Sequence, residues 1–423
     1  MARRFWVETL GCPKNEVDSH KLTGVLLADG LVAASTPAEA DLVVVNTCAF
    51  VEEARAESVD TVLALDDSRA PGSELVVTGC LAERYGNELA EALPEVDAVV
   101  GFGVPVHLGR DSTATAPLPG FDLLNLPRPP SAAPWAYVKV AEGCDRACGF
   151  CAIPSFRGPQ RSRSPETVLD EVEALGEHVK EIVLVAQDLA AYGRDQGVGS
   201  RRIVPLVQAV AERVPRVRLL YLYPSDLTDG LVEAICATGV PYFDLSLQHV
   251  SRPLLRAMRR WGDGERFLSR MAEIRRRQPQ AAFRSNFIVG YPGETEDDHD
   301  RLLRFLDHAQ LDWCGFFAWS PEEGTRAASL PGRVEPALVR ERLAECSERQ
   351  DTITARHRDA LVGRSLEVLV DRPGIGRTYR EAPEIDGVVH VPAHLAVGSL
   401  VPITVDAASG PDLVGTPTEP RHR

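Results

Sequence analysis

Short apolar runs rich in β-branched residues recur through the first hundred positions, at Arg4–Leu10, Asp41–Asn46 and Glu74–Thr78. Each gives way to a turn and then to a stretch with helical spacing, the alternation expected of a parallel-sheet α/β domain. Between Ser112 and Pro134 the pattern breaks. Pro117, Pro119, Pro127, Pro129, Pro130 and Pro134 leave no room for a helix or a central strand, which predicts an extended linker. The alternation resumes with Tyr137–Val140, Ile182–Ala186, Arg218–Tyr223, Phe243–Leu247, Phe283–Val289 and Trp313–Trp319. Ser164 followed by Pro165 marks the start of the first helix in this series. Six βα units are too few to close an eight-stranded barrel and predict an open, partial (β/α)6 barrel. Val334–Val362 reads as a long charged helix. From Ser365 onward the runs shorten to Leu366–Val370, Gly387–His390 and Leu400–Val405, punctuated by Gly and Pro. They predict a small, OB-like antiparallel β-barrel. The chain is thus read as an α/β multidomain protein: an N-terminal domain at 1–112, a Pro-rich linker at 113–133, a barrel with its helical connector at 134–362, and a terminal barrel at 363–423.

Composition narrows the function classes. Of 423 residues, 44% are hydrophobic and 25% charged, as in ordinary soluble globular proteins. No apolar run approaches the roughly 20 residues of a membrane span, and MARRFWVETLGC leads into a strand-like run without a secretory h-region. A cytoplasmic protein is expected, in which nine cysteines point to metal binding or catalysis rather than disulfides. A net charge of −15 disfavours tight nucleic-acid binding and favours a basic partner.

The cysteines carry the chemistry. Cys144, Cys148 and Cys151 stand in C-x3-C-x2-C spacing within VAEGCDRACGFCAIPSFRG. A closed [4Fe–4S] cluster takes four thiolates, so three leave one iron open. That is the radical S-adenosylmethionine (SAM) arrangement, in which the open iron chelates SAM and an electron cleaves its sulfonium. A zinc knuckle would want four ligands, often as paired C-x2-C units, and no His or fourth Cys lies nearby. In the first domain each predicted strand ends in a cysteine: Cys12 in LGCPKN, Cys48 in VNTCAF and Cys80 in TGCLAE. Loops at the carboxyl ends of parallel strands share one edge of a sheet, so the three are expected to converge as a second, auxiliary three-thiolate site. Cys236, Cys314 and Cys346 have no partner spacing and read as structural.

Polar residues gather at the predicted strand ends of the barrel: Gln187, Asp188, Ser225, Asp226, Gln248, His249, Glu294, Glu322 and Glu323. Together they are expected to line a substrate and cofactor site, with Gln187 and Gln248 touching SAM. In NFIVGYPGET, Gly290 and Gly293 permit close backbone approach to an adenine ring, and Arg284 is a candidate for the SAM carboxylate. The terminal segment from Gly363 carries six basic residues, Arg364, Arg372, Arg377, Arg380, Arg421 and Arg423. Eight acidic ones oppose them: Glu367, Asp371, Glu381, Glu384, Asp386, Asp406, Asp412 and Glu419. Such a barrel suits a basic protein surface better than RNA phosphate. Glu381, Glu384 and Asp386 in EAPEID are the expected contact.

GCPKN, VNTC, TGC, GCDRACGFCAIP, LQH, GYPGET and SPEEGT, spread over nearly the whole chain, resemble the methylthiotransferase family. The resemblance implies an N-terminal three-cysteine domain, a radical SAM core, a C-terminal TRAM barrel, two [4Fe–4S] clusters and SAM. Within that family, two branches act on tRNA adenosines and a third on an aspartate of small-subunit ribosomal protein S-twelve. GCPKN, CAIPSFRGPQRSR and APEIDG are similar to the ribosomal-protein branch, whereas the tRNA branches carry GCQMN-like wording at the first cysteine. Gly149 departs from the threonine or lysine expected between the second and third cluster cysteines. The resemblance implies that the cluster on Cys144, Cys148 and Cys151 reduces SAM to a 5′-deoxyadenosyl radical, which takes hydrogen from the aspartate β-carbon. A methylthio unit from the Cys12, Cys48 and Cys80 cluster then joins that carbon, and an electron donor is required. The alternatives are a tRNA adenosine methylthiotransferase, which a basic terminal barrel would favour, and a non-catalytic iron–sulfur sensor or electron carrier, which closed four-cysteine sites would favour.

Overall fold

The computed structural model describes residues 2–107, 120–197 and 202–418. Ser112, Pro117 and Pro119 of the predicted linker lie outside the described residues, as do Glu419, Arg421 and Arg423 of the terminal charge balance. Among the described residues no helix is long and apolar enough to cross a membrane.

The first domain is a five-stranded parallel sheet of β1 (Arg4–Thr9), β2 (Val32–Ala33), β3 (Leu42–Thr47), β4 (Glu74–Gly79) and β5 (Ala98–Val99), in the order β2-β1-β3-β4-β5. Central β3 is buried along its whole length because both faces are covered. Val43 and Val45 pack toward Val62 and Leu81 of the helices Glu52–Ser68 and Cys80–Ala92. Leu42 and Val44 pack toward Leu22 and Leu26 of the helix Pro13–Ala28. The two-residue edge strands β2 and β5 are too short to leave a pattern in the sequence.

The second domain holds β6 (Trp135–Lys139), the short pair β7 (Ala141–Glu142) and β8 (Arg161–Ser162), then β9 (Glu181–Val185), β10 (Arg216–Leu219), β11 (Tyr242–Gln248), β12 (Ala282–Val289) and β13 (Trp313–Ala318). Two parallel three-stranded sheets, β10-β9-β6 and β11-β12-β13, meet through a parallel bridge between Leu222 and Leu245. The six strands form the partial barrel that the pattern predicts. Alternation along β11 separates its two faces: Phe243, Leu245 and Leu247 join the core shared with the surrounding helices, while Tyr242 packs inward with Tyr137, Val183 and Leu220. The helix Pro165–Ala174 starts at Ser164, whose side chain accepts from the Thr167 amide.

The terminal domain is a closed barrel of β14 (Ser365–Arg372), β15 (Ile375–Arg377), β16 (Val389–His390), β17 (Leu400–Ser409) and β18 (Asp412–Pro417). Its β15–β16 loop does not face solvent as a docking surface. It is pressed against the strand starts of the larger barrel and forms the floor of that barrel. Ala382 packs among Tyr137, Tyr242 and Trp313, the Tyr137 hydroxyl donates to Pro383 O at 2.8 Å, and Trp313 Nε1 donates to Arg380 O at 2.6 Å. This corrects the reading of EAPEID as a partner surface. Glu381 is fully buried and accepts from Arg358 and from Thr378 N at 2.7 Å. Asp386 accepts from Tyr242 Oη at 2.6 Å and lies 3.4 Å from Arg284. Only Glu384 is exposed. Three closely spaced carboxylates look like a solvated loop in sequence, but here two of them neutralise arginines at a domain junction.

Candidate functional site

The cysteine loop begins where β6 ends. Pairing of β7 with β8 closes its neck, and Gly143 enters it at φ +77°, where a Cβ would fall 2.1 Å from Pro159 O. Cys144 N donates to Gly158 O at 3.1 Å across the same neck. The far side of the loop is pinned to the opposite wall of the barrel. Gly149 N donates to Met258 O, and Gly149 O accepts from Ala327 N, both at 2.8 Å. A Cβ at Gly149 would sit 3.1 Å from Ala257 O, a tight fit that suits glycine where the family resemblance leads one to expect a larger residue.

Around this loop, Arg260 Nη1 donates to Cys148 Sγ at 3.5 Å, and the Arg146 amide donates to Cys144 Sγ at 3.4 Å. The guanidinium groups of Arg146 and Arg260 both lie over the Tyr223 ring, at 3.8 and 4.2 Å. Asp188, 2.6 Å away, and Asp226 hold Arg146. Burial pushes the Cys144 thiol up to about 11 and the Cys151 thiol up to about 12. Two buried thiols raised in this way call for a cation to take them as thiolates.

The second triad lies on the carboxyl edge of the N-terminal sheet. Cys12 caps the helix Pro13–Ala28, Cys48 follows β3, and Cys80 opens the helix Cys80–Ala92. Two glycines make the convergence possible. A Cβ on Gly11 would fall 2.8 Å from Cys48 Sγ, and one on Gly79 would fall 2.6 Å from Thr47 N. Asn15 staples the loops by donating to Leu10 O and Thr47 O, each at 2.9 Å, and Asn46 Nδ2 donates to Asn15 O at 2.8 Å. Burial raises the Cys48 thiol to about 12, with the neighbouring Cys12 and Cys80 adding to the rise. Burial would also raise Cys12, but Lys14 and Arg157 beside it bring that thiol below its ordinary value.

Arg157, which sequence reasoning passed over, joins the two triads. It sits six residues after Cys151 yet reaches the other site, donating from Nη2 to Cys80 Sγ at 3.1 Å and to Asn15 Oδ1 at 2.6 Å. Its Nη1 meets Asp18 at 3.1 Å and Glu142 at 2.9 Å. Glu142 also accepts from Lys139 at 2.7 Å and from Gln187 Nε2 at 2.6 Å. A second clamp is Glu322, buried between Arg55 at 2.5 Å and Arg84 at 2.6 Å of the N-terminal domain. The signal for the glycines was present in the repeated Gly-Cys pairs LGC, TGC and EGC. Nothing local marked Arg157, whose partners lie up to 142 residues away.

Of the proposed SAM contacts, Gln187 lies two residues past β9 and Gln248 ends β11, both at the barrel mouth on the side of the cysteine loop. Gln187 Oε1 is buried without a protein partner, and Gln248 holds φ +71°, a strained backbone of the kind found at functional sites. Gly290 follows β12 at the same carboxyl edge, whereas Arg284 is placed elsewhere. Arg284 lies near the barrel floor, 3.1 Å from Asp244 and within reach of Asp386. At that edge the Gly290 amide donates to Glu294 at 2.6 Å, and the missing Cβ makes room for Val339 of the helix Pro336–Asp359. Glu294 is likewise structural, 3.0 Å from Arg342, and His249 is buried in the core.

Among the described residues no three His, Cys, Asp or Glu side chains are grouped as the ligands of a single metal ion. A four-iron cube makes a different demand, because each thiolate binds its own iron and the sulfurs stand farther apart than around one ion. Each triad offers three free thiols and an arginine donor directed at one sulfur, a donor set suited to such a cube.

Three family models match the chain: "Uncharacterized protein family UPF0004" over residues 4–101, the radical SAM superfamily over 138–306 and the TRAM domain over 362–417. The radical SAM methyltransferase TsrM from Kitasatospora setae, solved with cobalamin and a [4Fe-4S] cluster, shares the fold at a TM-score of 0.53 and 13% identity, covering 94% of this chain and 84% of that one. Fold and cysteine loop together define a radical SAM protein with an added N-terminal cysteine domain and a TRAM barrel. The ribosomal protein uS12 methylthiotransferase RimO of Streptomyces coelicolor is 42% identical over 98% of this chain and 97% of its own. That of Moorella thermoacetica is 43% identical over 92% and 93%. The chain belongs to the RimO family of methylthiotransferases.

Proposed function

We propose that this chain is a cytoplasmic radical SAM methylthiotransferase that adds a methylthio group to the β-carbon of an aspartate in ribosomal protein uS12. The observation that carries the reading is the pair of open three-cysteine sites joined through Arg157, in a chain that matches uS12-modifying relatives along nearly its full length. The triad Cys144, Cys148 and Cys151 would hold one [4Fe–4S] cluster with SAM, and Cys12, Cys48 and Cys80 the other. When bound, the first supplies one-electron cleavage of SAM and the second a place from which sulfur is delivered; an unactivated C–H bond demands a radical. The protein's own residues bind, orient and exclude water. Gln187 and Gln248 flank the SAM position, Arg260 and Arg157 each orient one ligating sulfur, and the β15–β16 loop seals the floor beneath. An electron donor and the basic uS12 surface are the partners this reading requires, with uS12 engaged free or within the ribosome.

The test is anaerobic turnover of the reconstituted enzyme with SAM, a reductant and sulfide, offered uS12 and tRNA together. The expected result is a methylthio mass increment on one aspartate of uS12 and unmodified tRNA. Modified tRNA with untouched uS12 would overturn the substrate assignment.

A further inference from the structure

Lysine occurs four times in this chain against 42 arginines, and three of the four are buried along the junction of the N-terminal helix and the barrel. Two of those three have carboxylate partners. Lys21 pairs with Glu171 at 3.3 Å, and Lys139 pairs with Asp18 and, at 2.7 Å, with Glu142. Lys14 is only 9% exposed, yet among the described residues it has no carboxylate within 4.0 Å. Its close companions are the ring of Tyr221, with Nζ 3.4 Å from the centroid, and the Cys12 thiol.

That position is costly on elementary grounds. Lys14 occupies the first turn of the helix Pro13–Ala28, where the positive end of the helix dipole opposes a cation. Burial adds to the penalty, and with no carboxylate partner only the Cys12 thiol offsets it. Tyr221 is also held unfavourably, at φ +65°, by a turn whose amide donates to Asp244 at 2.9 Å. Two unfavourable features facing each other suggest a shared task. Arg157, the other cation beside Cys12, already spends its donors on Asn15, Asp18, Glu142 and Cys80. An ammonium has three N–H donors, so Lys14 can still donate to an anion after meeting the ring. It stands two residues from Cys12, where the N-terminal site meets the barrel interior.

We infer that Lys14, braced by the Tyr221 ring, receives the side-chain carboxylate of the aspartate to be modified and so holds that residue's β-carbon beside the Cys12, Cys48 and Cys80 site. This rests on the proposed uS12 reading and names the group that recognises the target side chain. A carboxylate there gives Lys14 the carboxylate partner it lacks; a carboxamide does not.

The experiment measures equilibrium binding of intact uS12, and of uS12 with its target aspartate replaced by asparagine, to reconstituted holoenzyme without reductant. Wild-type enzyme should bind the aspartate form about tenfold tighter, as a charge-assisted hydrogen bond implies. Lys14→Met should bring the two affinities together, and Lys14→Arg should keep part of the difference. Equal wild-type affinities would overturn the inference, and that comparison stands even if a variant fails to load its iron. Discrimination that survives in Lys14→Met would overturn it too and leave Lys14 as a counter-charge to the cluster alone. If wild-type enzyme binds neither form, the uS12 reading itself fails and the inference goes with it.

Discussion

Cys144, Cys148 and Cys151 fall within eight consecutive residues, whereas Cys12, Cys48 and Cys80 span 69 and are gathered by a sheet. The first triad depends on one loop, closed at its neck by Gly143 and pinned to the far barrel wall through Gly149. The second depends on three strand ends meeting, which glycines at positions 11 and 79 allow and Asn15 and Asn46 tie together. Their electrostatics differ as well. At the barrel loop Arg260 donates to Cys148, Arg146 is neutralised by Asp188 and Asp226, and burial raises Cys144 and Cys151. The sheet-edge triad has Lys14 and Arg157 close by, and Cys12 lies below its ordinary value despite burial. Equal numbers of thiols thus sit in unlike surroundings, as the proposed assignment of similar clusters to different work requires.

The largest effect that would break this contrast is removal of one thiol from the barrel loop. Cys148→Ala should abolish reductive SAM cleavage and lower the iron content of anaerobically reconstituted protein from about eight to about four per chain, as two four-iron clusters require. An unchanged iron count would contradict the assignment of that triad.

Arg157→Met attacks the join between the sites. It leaves Asp18 and Glu142 short of a buried counter-charge and should cost about 3–5 kcal/mol in chemical denaturation. It should also change the electronic spectrum of the cluster on the N-terminal triad more than that of the other, because the lost N–H···S bond is to Cys80. Equal perturbation of both would mean that Arg157 is a general brace.

A smaller effect concerns the barrel around the sites. Burial lowers His249 from 6.5 to about 4, with Asp298 acting the other way and His299 and Arg342 lowering it further. Between those values the unfolded chain binds the proton and the folded one does not. Stability should therefore fall as pH drops through that window, by at most about 1.4 kcal/mol per pH unit. Thermal unfolding from pH 7 to pH 4 should show the slope, and His249→Gln should flatten it.

The contrast between the triads also governs what could be read from sequence. The barrel triad was legible from spacing alone, since its ligands share a loop. The sheet-edge triad required a topological step, that parallel strand ends share an edge, and the strand pattern was regular enough to support it. Charged residues misled where their partners were remote. Arg284, Glu381 and Asp386 read as ligand or partner contacts but are spent on the floor of the barrel, neutralising groups up to 102 positions away. Arg157 was missed for the same reason. The length of a hydrophobic run reveals which element a residue belongs to; a lone charge says nothing about which distant charge it will meet.

The division of labour between the triads is tested most directly by Cys48→Ala, reconstituted anaerobically and given SAM, reductant and uS12, with 5′-deoxyadenosine and methylthiolated uS12 counted in the same reaction. The account predicts 5′-deoxyadenosine formation with no methylthiolated product, because the barrel triad is intact and the sheet-edge triad is not. Loss of 5′-deoxyadenosine together with the product would contradict it, and would mean that the two sites work as one.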